Sequence, residues 1–163
     1  MTRDGSLDGL HRERTRLLAA YDALGDDVDT AHVTEPGGWT GKDVLAHLIH
    51  YTGMIANALG APMSPPAYVL EATGQLTAEE WNDRAVAFWK DKPAAEVRAQ
   101  FVHDSDLLLE YAAKLTDEQL VADARALVGW ANEGPLERFI GHDTFQHEWP
   151  AHAQQMEELL GNM

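Results

Sequence analysis

Four side chains in this sequence, His47, His147, Glu148 and His152, are of the types that hold a divalent cation. His47 falls on the apolar stripe Val44, Leu48, Tyr51, Ile55 and Leu59, which repeats at helical spacing, whereas His50 points toward a more polar side. Burying an imidazole on such a stripe obliges its nitrogens to find partners. A metal ion satisfies one of them and fixes the tautomer. Taken alone, a histidine on an apolar face is more often a hydrogen-bonded core residue, so the second group decides the reading. His147, Glu148 and His152 sit at spacings that a regular or a bulged helix can gather, and three ligands can then converge.

Two triads compete, and Pro150 separates them. In a regular helix Glu148 and His152 share a face at four-residue spacing and join His47 as a two-histidine, one-carboxylate site. Pro150 cannot bond to the carbonyl four residues back and crowds it, which predicts a kink or a single-turn π-bulge. A bulge brings His147 and His152 together instead. That version has a small edge, because His147 continues the stripe Leu136, Phe139, Ile140 and Asp143, whereas His152 begins the stripe Met156, Leu159 and Leu160. Either triad leaves positions open for water or substrate, the arrangement of a catalytic rather than a purely structural zinc site.

The other candidates read as structural. His11, His32, His103 and His142 are expected at the surface, and Trp39, Trp81, Trp89, Trp130 and Trp149 as core and loop anchors, with Trp149 also placed to line a pocket beside the ligand cluster. Asp104 and Asp143 interrupt apolar stripes. They read as caps or surface groups rather than as partners that orient a ligating imidazole.

These side chains need helices to position them. Leu7, Leu10, Arg14, Leu17, Leu18, Tyr21 and Leu24 trace a first helix, capped by Ser6 and stopped at Gly25. Thr40 caps a second, with Asp43 completing a weaker form of the capping box. The prolines at 62, 65 and 66 end it in a loop. Thr77-Ala78-Glu79-Glu80 opens a short helix that stops near Lys92, and Pro93 starts a long one through Val97, Phe101, Leu108 and Tyr111 to about Lys114. Thr116 to Leu120 is a turn with a helical start, and Val121 to Glu133 carries no clear pattern. Gly134-Pro135 begins the last helix. Four substantial helices, one short helix and no convincing strand predict an all-α fold, a four-helix bundle whose sites lie on inward-facing positions.

Composition narrows the function classes. A length of 163 residues without internal repeats suits one domain over 1–163, and 45% hydrophobic with 24% charged residues is ordinary for a globular chain. Twelve Lys and Arg against 27 Asp and Glu give a formal charge of −15, which repels phosphate backbones and anionic lipid. Nucleic acid and membrane are therefore excluded as expected partners, and a small-molecule substrate remains. The chain has no cysteine, so a thiol must come from outside. With neither a signal-peptide pattern nor a long apolar run, the expected location is cytoplasmic.

The segment Gly38-Trp39-Thr40-Gly41-Lys42-Asp43-Val44-Leu45-Ala46-His47-Leu48 resembles the tryptophan-to-histidine signature at the second helix of the DinB/YfiT-like superfamily. Asp143-Thr144-Phe145-Gln146-His147-Glu148-Trp149-Pro150-Ala151-His152 resembles its C-terminal motif, which usually carries two histidines four residues apart. The overall layout, including Glu80-Trp81-Asn82 and Lys114-Leu115-Thr116-Asp117-Glu118, is most similar to the ClbS/DfsB-type branch. The resemblance implies an up-down-down-up four-helix bundle, a homodimer, and a nickel- or zinc-type divalent metal on three side chains. It carries the metal role onto His47 and His152. One extra residue between His147 and His152 leaves the middle ligand open between His147 and Glu148; the related mycothiol-dependent maleylpyruvate isomerase domains resemble the Glu148 version. Three functions follow as expectations. The first is a metal-dependent enzyme activating water or an external low-molecular-weight thiol, as a hydrolase or thiol transferase. The second is a ClbS-like protective protein that hydrolyses or sequesters an electrophile, and the third a non-enzymatic small-molecule-binding or dimerisation module.

Overall fold

The structure is a computed structural model that describes residues 3–34, 38–127, 134–136, 140 and 148–163. Its helices are α1 (Arg3–Ala23), α2 (Gly41–Ala58), α3 (Ala67–Leu70), α4 (Ala78–Trp89), α5 (Ala94–Ala113), α6 (Asp117–Val121), α7 (Ala124–Leu127) and α8 (Glu148–Asn162), with a 3-10 turn over Gly25–Asp29. Among the described residues there is no strand; only two isolated bridges pair His32 with Thr40 and Asp123 with Pro135. The fold is all-α.

Local chemistry sets most of the boundaries. Gly25 has φ 55°, the left-handed conformation that glycine adopts cheaply just beyond a helix end, and α1 stops there as its sequence predicts. Thr40 and Asp43 form a reciprocal capping box at the start of α2, and Thr77 with Glu80 and Thr116 with Gln119 do the same for α4 and α6. Three boundaries differ from expectation. α1 begins at Arg3, so Ser6 lies within it rather than capping it. The proline loop holds the single turn α3, started by Pro66, and part of the unpatterned stretch after Leu120 folds into α7. Most of the expected helical run from Leu136 to His147 lies outside the described residues.

The four long helices form a closed ring in which α1 packs on α5 and α8, and α2 packs on the same two. Tyr21 bonds the carbonyl of Ala94 while Arg14, further back along α1, bonds that of Val102, so α1 and α5 are antiparallel. Lys42 bonds the carbonyls of residues 90 and 92 and Gly53 faces Asp104, so α2 and α5 run the same way. Leu17, Val44, Leu48, Phe101, Leu108 and Met156 meet at full burial in the centre. Gly41 closes the α1–α2 corner: a Cβ there would stand 2.7 Å from Leu24 Cδ1 and 3.1 Å from Val28 Cγ2. α4 lies outside the ring against α2. No described helix is long and apolar enough to cross a membrane.

Candidate metal centre

His47, in the second turn of α2, is buried, with Nδ1 3.0 Å from Asn82 Oδ1 on α4. An amide oxygen only accepts, so Nδ1 carries the hydrogen and Nε2 presents a lone pair. The same Asn82 oxygen accepts from the Tyr51 hydroxyl at 3.1 Å. On α8, His152 Nδ1 donates to Gln155 Oε1 at 2.6 Å, which again turns a lone-pair Nε2 outward. Both lone pairs point at one atom. Glu148 Oε2 lies 3.5 Å from His47 Nε2 and 3.4 Å from His152 Nε2.

Three acceptors therefore face one another, an arrangement that repels itself unless a cation sits among them. The spacing suits a metal: ligand bonds of ~2.0–2.1 Å give tetrahedral edges of about 3.4 Å. The three donor atoms all lie within 4.8 Å of one another, and two neutral imidazoles with one carboxylate match what divalent transition metals take. A glutamate ionises well below neutral pH, so the site carries a carboxylate there.

The surroundings fix the approach. The rings of Trp39, Tyr51 and His152 each stand 5.1 Å from that of His47. The histidine side chains are only 8% and 9% exposed but that of Glu148 is 41% exposed, so the centre opens to solvent on the Glu148 side. Trp149 is fully buried edge-on against Phe101 and anchors α8 in the core.

Glu148 and His152 come together through the regular spacing of α8, which continues unbroken through Pro150, so no bulge lies between them. This is the unbulged alternative. His147 lies outside the described residues, as do His142, Asp143 and Trp130. His11, His32 and His103 are exposed as expected. His50 is not on a polar side: α3 and α4 cover it, Nδ1 meets the Tyr68 hydroxyl at 2.9 Å, and the ring stacks on Trp81 at 5.2 Å. Burial, and then the neighbouring His47, push it down to about 4. Asp104 is likewise no surface or capping group but buried between α2 and α5.

Asn82 and Gln155, which orient the two imidazoles, went unassigned in the sequence. Gln155 had a usable signal, one helical turn beyond His152. Asn82 lies 35 residues from His47, and no spacing links the two, although the Glu80-Trp81-Asn82 segment belongs to the resemblance.

The family model described as the mycothiol maleylpyruvate isomerase N-terminal domain matches residues 6–156. No curated protein and no solved structure matches the chain significantly.

Proposed function

The chain belongs to the mycothiol maleylpyruvate isomerase N-terminal domain family, part of the DinB-like helical superfamily, and from that premise we propose that it is a metal-dependent enzyme using an external low-molecular-weight thiol. The observation that carries this reading is the convergence of His47 Nε2, His152 Nε2 and Glu148 Oε2 with every donor hydrogen turned away. His47, Glu148 and His152 would hold the cation, zinc or nickel. Such an ion supplies Lewis acidity that lowers the pKa of a coordinated thiol.

The protein's own residues do the rest. Asn82 and Gln155 keep both imidazoles in the ligating tautomer. Trp39 and Tyr51 wall the His47 side, while the half-exposed Glu148 marks the side from which a thiol and its acceptor enter. Since the chain has no cysteine, the sulfur must arrive with the cosubstrate, and the family's name points to mycothiol or a thiol like it.

Cobalt substitution tests this reading. The Co²⁺-loaded protein is expected to develop a thiolate charge-transfer band when mycothiol is added, and His47→Ala to lose both the ion and the band. Failure of the protein to retain any divalent ion would sink the proposal. Metal retention with turnover of an electrophile by water alone would instead favour the ClbS-like hydrolytic reading.

A further inference from the structure

One helical turn beyond His47, α2 also borders a second cavity. This cleft of about 440 Å³ lies between α2, α4, α5 and the loop around Met63 and Pro65, and none of the three candidate metal ligands lines it. Its walls are apolar, with Ile49, Met63, Phe88 and Trp89 prominent. Asn57 and Ser64, both exposed, stand at its edge. The size falls in the usual range for small-molecule sites.

Among the described residues that line this cleft, Asp104 is the only one with a formal charge. It is 3% exposed. Gln100 and His103 both donate to Oδ1, at 2.7 and 2.9 Å, while Oδ2 faces Gly53 across the cleft and accepts no bond from the described residues. Burial raises the Asp104 acid above its ordinary value, which reflects the cost of a carboxylate without a full counter-charge. A buried carboxylate with an open oxygen is costly unless a guest that donates to it completes the site.

Gly53 points the same way. Glycine is unfavourable in the middle of a helix, yet a Cβ here would fit at ordinary contact, 3.4 Å from Asp104 Oδ2 and 3.5 Å from Met63 Cε. What a methyl group would take is the space in front of the open oxygen.

We propose that this cleft is a binding site for a small organic ammonium ion, its charged nitrogen on Asp104 Oδ2 and its apolar body between Phe88, Trp89 and Met63. The formal charge of −15 favours the approach of cations over anions. The site does not depend on the metal centre.

The test uses 2-phenylethylamine and its neutral counterpart 2-phenylethanol, titrated calorimetrically into the full chain with and without a chelator. The amine is expected to bind roughly tenfold or more tightly than the alcohol, since a hydrogen bond between charged groups is at stake. Asp104→Asn, which still accepts from Gln100 and His103, should abolish the preference. Gly53→Ala should weaken amine binding while the melting temperature holds or rises. His47→Ala should bind the amine as the parent does. No heat with the amine, equal affinity for amine and alcohol, or a preference that survives in Asp104→Asn overturns the proposal. An unchanged amine affinity in Gly53→Ala overturns the placement of the ammonium.

Discussion

Asn82 Oδ1 lies 3.0 Å from His47 Nδ1, a bond that ties α4, a helix outside the four-helix ring, to the inward-facing imidazole of α2. The short helix therefore holds the tautomer of a residue whose other nitrogen faces the candidate metal centre.

If that bond positions His47, Asn82→Ala is expected to weaken zinc affinity by roughly 10- to 100-fold, the usual effect of losing a group that orients a ligand. Asn82→Asp, which still accepts from Nδ1, should recover most of it. Competition titration against a chromophoric chelator reads the difference, with circular dichroism checking that the helices persist.

Binding to the native state alone stabilises it by mass action. Zinc at 100 times its Kd should add about 2.7 kcal/mol to the unfolding free energy. In Glu148→Gln, which keeps the shape of the side chain but removes its charge, most of that increment should vanish. Equal metal-induced shifts in thermal melts of the two proteins would remove Glu148 from the ligand set.

His50 makes the acid limb of stability steeper. Its folded-state pKa of about 4 lies below the ordinary 6.5, so the unfolded chain takes up the proton first as the pH falls. Its contribution is flat above pH 6.5, declines between about 6.5 and 4, and reaches its full loss, on the order of 3 kcal/mol, below that window. His50→Gln should flatten this part of the curve in denaturant titrations of the chelated protein at pH 7, 5 and 4. An unaltered slope would mean that His50 does not titrate in this way.

The corner between α1 and α2 offers a packing test. A methyl group at Gly41 would press on Leu24 and Val28, both buried, and neither can retreat without disturbing the core. Gly41→Ala should cost about 1–3 kcal/mol, as overpacking does, although alanine is the better helix former. The urea midpoint should fall with the m-value unchanged.

Much of this arrangement is legible in the chain because it is local. Thr40 with Asp43 and Thr77 with Glu80 announce helix starts, Gly25 announces a stop, and the stripe through Val44, Leu48 and Ile55 places His47 on an inward face. Glu148 and His152 are readable as a pair from their four-residue spacing. What stays hidden depends on which elements cross. His50 and Asp104 looked polar-facing or capping because nothing in their own helices shows that α3 and α4 close over one and α2 packs on the other. Pro150 invited a bulge, yet the spacing from Glu148 onward is regular.

His47 and Glu148 stand 101 residues apart in sequence. A cation shared between them acts as a clasp that closes a long loop and pins the C-terminal end of the chain to its second helix. The docking of Glu148–Asn162 should then report occupancy, with its amides exchanging more slowly and nearby peptide bonds resisting proteases once the clasp is fastened.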